Sequence, residues 1–178
     1  MKENFDKAIS FTLDHEGGLV NNPADPGMIT NFGISYRFLK NIRPDADESD
    51  IENMTRDDAI ELYRNYFWRS CYCNELPSLV DSVVFDTAVN MGTGTAIKLL
   101  QRTLNELYGT NLKVDGGFGP ITQSAIEEIA DTMEFAKAFL DKRRDYYTSL
   151  ADNKPKFRVF LRGWMNRVDD LEKFIEEL

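Results

Sequence analysis

The sequence predicts a mainly α-helical protein with one small β-hairpin, at about residues 25–34, and a C-terminal helical lobe. Apolar residues recur at intervals of three and four along most of the 178-residue chain, which is the spacing of one helix face. Residues 17–34 are the exception, because glycines, prolines and Asn or Asp residues there lead into a short β-branched run. No repeat, low-complexity tract or clear linker interrupts the chain, so we expect two lobes that share one core.

The first predicted helix ends at a carboxylate. One of its faces is defined by residues at intervals of four, four and three, namely Phe5, Ile9, Leu13 and Glu16. Two glycines follow at once, and glycine favours a helix end because it tolerates positive φ. Glu16 therefore continues an apolar face to its edge. A carboxyl group that is half-buried in an apolar surface is disfavoured in its charged form, so we expect a raised pKa and a role as general acid for Glu16.

A second carboxylate, Asp25, lies nine residues after Glu16 in a Pro-Ala-Asp-Pro-Gly turn. Water is close in such a turn, so we expect this carboxylate to stay ionised. Two carboxylates whose pKa values are pushed apart suit glycoside hydrolysis, in which one protonates the leaving oxygen and the other activates water or stabilises the cation. Thr30 adds a hydroxyl that is able to hold this water. Taken singly, each residue has a simpler interpretation, as a helix end, a turn and a strand position.

A polar pair is also predicted inside the protein. Residues 79–91 are almost continuously apolar, which indicates a central helix that is buried on most sides. Asp86 and Asn90 lie four residues apart on this helix, so both side chains must be hydrogen-bonded. Our main interpretation is that they support the neighbouring site structurally. Contact of Asn90 with a substrate is the alternative.

Caps and breakers define the other helices. Thr55, followed by acidic residues, is typical of a helix N-cap, and Gly109 is placed to end a helix. Residues 113–120 form a glycine-rich loop that feeds the next helix at Pro120. The helices expected in this part of the chain cover residues 56–67, 95–107, 121–126 and 135–150, with a last one after Pro155.

The composition excludes several classes of function. A formal net charge of −9 argues against nucleic-acid binding, which needs clustered Lys and Arg. The one histidine, His15, has no Gly-x-Ser-x-Gly motif to serve, so we expect it to be a structural neighbour of Glu16. Cys71 and Cys73 are too close in sequence for an ordinary disulfide, and we expect free thiols. We expect no cofactor and no metal site.

Several segments together resemble the signature of glycoside hydrolase family 108, a family of lysozyme-like muramidases from phages, prophages and bacteria. They are His-Glu-Gly-Gly at residues 15–18, Asp-Pro-Gly at 25–27, Thr30 and Gly-Ile at 33–34. The order Glu, Asp, Thr is also similar, more distantly, to the phage-type lysozymes. The resemblance implies that Glu16 is the acid and that Asp25 and Thr30 are its catalytic partners. Where the family usually has a second glycine after Asp-Pro-Gly, this chain has Met28, which requires a different turn.

The resemblance extends over nearly the whole chain. Residues 85–92 and 160–167 are similar to the family's central helix and C-terminal pattern, and the glycine-rich loop at 113–120 resembles a peptidoglycan-binding repeat. This implies a lysozyme-like catalytic region at 1–92 and a helical peptidoglycan-binding-like region at 93–178, packed on the same core. The implied function is a muramidase, or endolysin, that hydrolyses the β-1,4 bond between N-acetylmuramic acid and N-acetylglucosamine. A lytic transglycosylase and a non-catalytic peptidoglycan-binding or secretion-accessory protein are the alternatives.

The implied partner is the glycan strands of peptidoglycan, approached by a monomer without nucleic acid and without stable membrane insertion. The first residues lack the pattern of a signal peptide, so we expect synthesis in the cytoplasm and arrival at the wall, in the periplasm or outside, by another route. Two basic segments, residues 142–144 and 154–167, are candidates for guiding the acidic chain to an anionic wall. We favour the simpler interpretation that both are solvated helix faces.

Overall fold

The computed structural model describes residues 2–16 and 29–178, and this part of the chain is mainly helical, as predicted. The α-helices, in chain order, are α1 (Lys2–His15), α2 (Tyr36–Ile42), α3 (Glu48–Glu52), α4 (Arg56–Tyr63), α5 (Val80–Met91), α6 (Thr93–Tyr108), α7 (Pro120–Ile126), α8 (Thr132–Asn153) and α9 (Arg158–Glu176). One π-helical turn covers Arg64–Trp68, and 3-10 turns cover Cys73–Glu75 and Pro155–Phe157. No helix in the described ranges is both long and apolar enough to cross a membrane.

The predicted hairpin is present and short. Strand β1 (Thr30–Asn31) pairs antiparallel with β2 (Ile34–Ser35), so that Thr30 faces Ser35 across the hairpin. The two turn residues, Phe32 and Gly33, both have positive φ, at 50° and 76°. Positive φ at both central residues matches the right-handed twist of the strands, which is why this kind of turn closes two-residue hairpins. The predicted start of the hairpin, at residue 25, lies outside the described residues.

Helix α5 is the centre of the molecule, as its apolar sequence predicts. Its residues from Val80 to Ala88 are all buried, and α1, α6 and α8 pack around it. An edge-to-face aromatic cluster fixes α1 against this centre, with the ring of Phe5 lying 5.2 Å from Trp68 and 5.8 Å from Phe85. Buried residues from both halves of the chain form one continuous hydrophobic cluster.

Local signals place several helix ends correctly. The Thr55 side chain accepts a hydrogen bond from the backbone N–H of Asp58, whose own carboxylate accepts from the backbone N–H of Thr55. Helix α6 ends at Gly109, which has a φ of 65°. Cys71 and Cys73 are free and buried, and burial raises the pKa of the Cys71 thiol to about 12.

The last two helices return the chain to its beginning. Helices α8 and α9 pack along each other, and α9 then reaches α1. Apolar residues at helical spacing on α9, among them Val168, Leu171 and Ile175, are buried in the common core. This packing brings the Arg167 side chain to Glu16, at the end of α1.

Candidate functional site

Glu16 directly follows α1 and lies in a cleft of about 260 Å³. The hairpin forms one wall of this cleft, with Gly33, Ile34 and Ser35. The other described lining residues come from α2, the α4 and π-helical segment, and the end of α5: Phe38, Tyr63, Phe67, Ala88, Val89 and Gly92. The Glu16 side chain is 20% exposed, so its carboxyl group is accessible from an otherwise largely apolar and aromatic cleft. We call this the Glu16 cleft.

Gly33 lets the hairpin turn approach Glu16 closely. A Cβ atom at this position would lie 2.5 Å from Oε2 of Glu16 and 2.6 Å from the hydroxyl oxygen of Tyr63. Its φ of +76° also disfavours any residue with a side chain. Both the space and the backbone conformation therefore require glycine here.

Tyr63 fixes the turn from the other side of the cleft. Its hydroxyl donates a 2.9 Å hydrogen bond to the carbonyl oxygen of Phe32. Burial, and then the nearby Glu16 carboxylate, raises the pKa of the Tyr63 phenol above its ordinary range. Tyr63 therefore keeps its proton at neutral pH and stays a hydrogen-bond donor.

A buried chain of ion pairs holds Glu16. Arg167 on α9 donates from Nη1 to Oε1 of Glu16 at 2.7 Å and from Nη2 to Oδ1 of Asp86 at 2.7 Å. Arg143 on α8 donates from Nη1 to the other oxygen of Asp86, also at 2.7 Å. Two carboxylates and two guanidinium groups thus alternate, and we call this arrangement the Glu16–Arg143 network. Its charges balance, as buried charges must.

The pKa directions in the network follow from this pairing. Burial alone would raise the pKa of Asp86, which is 1% exposed, but Arg167 and Arg143 outweigh burial and hold its pKa below the ordinary value. Burial alone would lower the pKa of Arg167, but the Asp86 and Glu16 carboxylates raise it. Asp86 and Arg167 are therefore fixed in their charged forms across the ordinary pH range.

The network corrects two expectations from the sequence. Glu16 does not lie at a purely apolar edge, because the guanidinium group of Arg167 contacts it. The two basic segments are also not solvated throughout, because each contains a buried or largely buried arginine, although the four cations at residues 154–162 are exposed as expected. Arg143 is fully buried, Arg167 is 12% exposed, and Arg144 pairs with Asp141, Asp169 and Glu172.

The predicted support by Asp86 and Asn90 has a concrete geometry. The Asn90 side-chain amide donates to the backbone carbonyl oxygen of Asp86 at 2.8 Å. Thr12 on α1 donates to Oδ1 of Asp86 at 3.5 Å, so a long contact also connects α1 to Asp86. Both predicted polar residues are thus hydrogen-bonded, and Asp86 joins α5 to three other helices.

The structure describes only some of the other residues that were predicted to form the site. Thr30 lies half-buried in β1, and the described lining of the Glu16 cleft contains its cross-strand partner Ser35 rather than Thr30 itself. Asp25 and Met28 lie outside the described residues. His15 precedes Glu16 in sequence and makes contacts within the fold: its ring packs on Phe11, and its Nδ1 lies 3.0 Å from the carbonyl oxygen of Phe11.

Arg167 is a part of the site that was not predicted from the sequence. One feature of the sequence does point to a buried arginine, namely a cation placed on an otherwise apolar helix face. Arg143 lies at helical spacing between the buried rings of Phe139 and Tyr147, and Arg167 directly precedes buried Val168. A cation in such a position needs a buried acid, and Asp86 is the acid that the sequence placed in the core.

The glycine-rich loop at residues 113–120 has a clear structural role. Gln101 donates to the carbonyl oxygen of Gly117 at 2.9 Å and accepts from the backbone N–H of Gly116 at 3.0 Å. These bonds close the connection between α6 and α7. Within the described residues, no group of three or more His, Cys, Asp or Glu side chains is placed to hold a metal ion.

Comparisons with known proteins identify both halves of the chain. Residues 9–92 match the family model of glycosyl hydrolase 108, and residues 95–169 match a predicted peptidoglycan domain. The solved structure of SagA from Brucella abortus is similar, with a TM-score of 0.83 and 26% sequence identity, over 99% of this chain and 96% of that chain. No curated protein matches the chain.

The likeness over nearly the full length confirms the predicted lysozyme-like fold with its small hairpin and C-terminal helices. The two family matches confirm the predicted family and identify peptidoglycan as the polymer on which the protein acts. Residues 9–92 therefore belong to glycosyl hydrolase family 108, and the chain as a whole is a lysozyme-like protein that joins this region to a predicted peptidoglycan domain.

Proposed function

We propose that the protein is a muramidase that hydrolyses the β-1,4 bond between N-acetylmuramic acid and N-acetylglucosamine in peptidoglycan, with Glu16 as the general acid. The observation that carries this proposal is the position of Glu16 in an open cleft whose other described lining residues are apolar, aromatic or small. A carboxyl group in such a place is able to meet a glycosidic oxygen, while the aromatic walls suit the flat faces of sugars.

The network suggests which oxygen of Glu16 carries the proton. Arg167 donates to Oε1, so this oxygen is already an acceptor. Oε2 lies against Gly33 at the cleft wall. A carboxylic acid is able to accept at one oxygen and donate from the other, so we assign the transferable proton to Oε2. Protonation of the leaving oxygen by Oε2 then breaks the glycosidic bond, and the charge of Arg167 stabilises the carboxylate that remains.

Asp25 and Thr30 are our candidates for the second half of the reaction. Asp25 would activate the attacking water or stabilise the oxocarbenium-like transition state, and the Thr30 hydroxyl would hold that water. A lytic transglycosylase needs the acid alone and forms an anhydro product without water. Activity of Asp25→Ala near the wild-type level would therefore count against hydrolysis.

The first test compares wild type with Glu16→Gln on purified peptidoglycan. The substitution keeps the shape of the side chain and removes its transferable proton, so we expect loss of at least about a hundredfold in the release of reducing ends. Mass spectra of the products should show reducing muramic acid ends. Glu52→Gln, on an exposed position of α3, is the matched control and should retain full activity.

The outcomes separate the alternatives. Anhydro products from the wild type would establish a transglycosylase. A folded wild type that binds peptidoglycan and releases no sugars would establish a non-catalytic binding protein, and equal activity of Glu16→Gln would remove Glu16 as the acid.

A further inference from the structure

A basic and aromatic patch is exposed where α8 turns into α9. The patch consists of Lys154, Lys156, Arg158, Val159, Phe160 and Arg162, and we call it the α8–α9 patch. Val159 is 77% exposed and Phe160 is 53% exposed, which makes them two of the most exposed large apolar side chains described. The sixteen residues from 153 to 168 contain five cations and no acid, in a chain with a net charge of −9.

Within the described part of the chain, the cations of the patch form no ion pairs with acidic residues. Among the described residues, Lys137, Lys142, Arg143, Arg144 and Arg167 all form ion pairs, whereas the four cations of the patch form none. Arg158 also lies in the first turn of α9, where a positive charge opposes the helix dipole, and this helix has no side-chain N-cap. Lys154 and Lys156 lie 5.9 and 5.1 Å from the centre of the Phe157 ring, a contact within the fold. Contacts among the described residues do not account for the charges of Arg158 and Arg162.

The aromatic rings of this surface lead to the Glu16–Arg143 network. The Phe160 ring lies 5.9 Å from Trp164, and Trp164 stacks on Tyr147 at 4.7 Å. The Tyr147 hydroxyl accepts from Arg143, which binds Asp86. Phe160, Trp164 and Arg167 are also spaced by four and three residues on one face of α9, so Phe160 is about 10 Å along the helix axis from the residue that holds Glu16.

We propose that the α8–α9 patch is a peptidoglycan subsite, in which the ring of Phe160 stacks on a sugar and the four cations bind carboxylates of the stem peptides. The chemistry of the polymer fits both parts, since sugars present apolar C–H faces and the stem peptides carry negative charge. An acidic protein repels such a polymer over most of its surface, so an exposed basic patch sets the direction of approach. The proposal rests on the proposed function only in taking peptidoglycan as the substrate.

An anionic membrane surface is a competing occupant, because exposed apolar residues among cations also bind lipid headgroups. Two observations favour peptidoglycan. The patch lies within residues 95–169, which match the predicted peptidoglycan domain. It is also continuous, through one face of α9, with the residues that hold Glu16 in its cleft.

Binding to purified sacculi tests the proposal. The full chain carrying Glu16→Gln is sedimented with sacculi, so that binding is measured without turnover. Adding Arg158→Gln and Arg162→Gln should weaken this binding about tenfold. The matched control adds Lys7→Gln and Arg56→Gln, two exposed cations that also lie outside the described ion pairs, and should bind like the parent protein. Thermal unfolding of each variant establishes that it is folded.

Neutral oligomers of N-acetylglucosamine, which have the sugar faces of the glycan strands and carry no carboxylate, separate the two parts of the patch. The cation variant should bind these oligomers as well as the parent protein does, because no carboxylate is present. Phe160→Ser should bind both intact sacculi and the oligomers several-fold more weakly, since the sugar contact is lost in both.

Three results would overturn the subsite: equal sacculus binding by the cation variant and its parent, an equal loss in the control variant, or patch-dependent binding to phosphatidylglycerol vesicles with unchanged sacculus binding. The last result would identify a membrane surface. Release of reducing ends by the wild type is measured separately. If no ends are released while sacculus binding still depends on the patch, the muramidase proposal fails and the subsite stands.

Discussion

The two matched regions contribute opposite charges to one buried contact. Residues 9–92 supply the carboxylates of Glu16 and Asp86, and every described lining residue of the Glu16 cleft lies in this range. Residues 95–169 supply the guanidinium groups of Arg143 and Arg167. Neither set of buried charges is satisfied without the other. The region that lines the cleft is therefore not sufficient to hold the cleft in shape.

The largest effect should come from removing the charge at the centre of the contact. Asp86→Asn leaves two buried guanidinium groups without a carboxylate between them, and we expect a loss of about 3–5 kcal/mol in the free energy of unfolding. Denaturation by urea measures it. Asp57→Asn, at an exposed position of α4, should change stability by less than about 0.5 kcal/mol. A comparably small loss for Asp86→Asn would mean that the two regions do not depend on each other through this contact.

The stability lost in Asp86→Asn should also depend on pH. The folded-state pKa of Asp86 is held below the ordinary 3.8 by its two arginines, so its contribution to stability is present above pH 3.8 and is lost as pH falls through the folded-state value. The difference in unfolding free energy between wild type and Asp86→Asn should therefore be constant near neutrality and shrink on acidification below about pH 3.8. A difference that grows in acid has the wrong sign for this pairing.

The hydrolase region alone is tested by Gly33→Ala. A Cβ atom there would collide with Oε2 of Glu16, so we expect a loss of about a hundredfold in peptidoglycan hydrolysis and of about 1 kcal/mol in stability. Gly109→Ala is a matched control, because Gly109 also has positive φ but a Cβ atom there would have no neighbour within 4 Å among the described residues. It should lose similar stability and keep its activity. Equal activity losses would show that strain, and not the contact with Glu16, is responsible.

The contribution of the peptidoglycan domain to catalysis is tested by Arg167→Lys. Lysine keeps the charge but lacks the planar fork that binds Glu16 and Asp86 together, so initial rates should fall about tenfold with little change in KM. Arg144→Lys also replaces an arginine that bridges several carboxylates, but away from the cleft, and should leave the rates unchanged. Full activity of Arg167→Lys would show that only the charge of Arg167 matters, and not its hydrogen bonds to both carboxylates.

The smallest effect is expected at Thr30. If its hydroxyl holds the attacking water, Thr30→Val should lower the rate several-fold and Thr30→Ser should restore it. Reducing-end assays on all three proteins measure this. An equal loss in both variants would indicate that the strand needs the shape of threonine, and not its hydroxyl.

Local chemistry made much of the fold predictable. The apolar run of α5, the cap at Thr55 and the glycine at position 109 each specify their element through neighbouring residues, and the structure agrees. The π-helical turn at Arg64–Trp68 and the positive φ of Tyr72 and Leu79 carry no such local signal. These features are set by how the surrounding helices pack.

The site was predictable only in part for the same reason. Glu16 is visible because it ends a periodic helix and matches a family signature, but its partner Arg167 is 151 residues away in sequence. No periodicity reports a contact at that separation, because the docking of α9 on α1 creates it. The roles of Asp25 and Thr30 remain predictions for the experiments above.

The ion pairs between Glu16, Arg167, Asp86 and Arg143 also limit how such a protein is able to evolve. A wall-binding module on a flexible linker is exchangeable, since its replacement leaves the catalytic region untouched. Here, replacing the peptidoglycan domain would remove Arg143 and Arg167 and leave the buried Asp86 carboxylate without its partners. Any recombination that replaces the second region must therefore preserve both arginines, so the two matched regions are inherited as a unit.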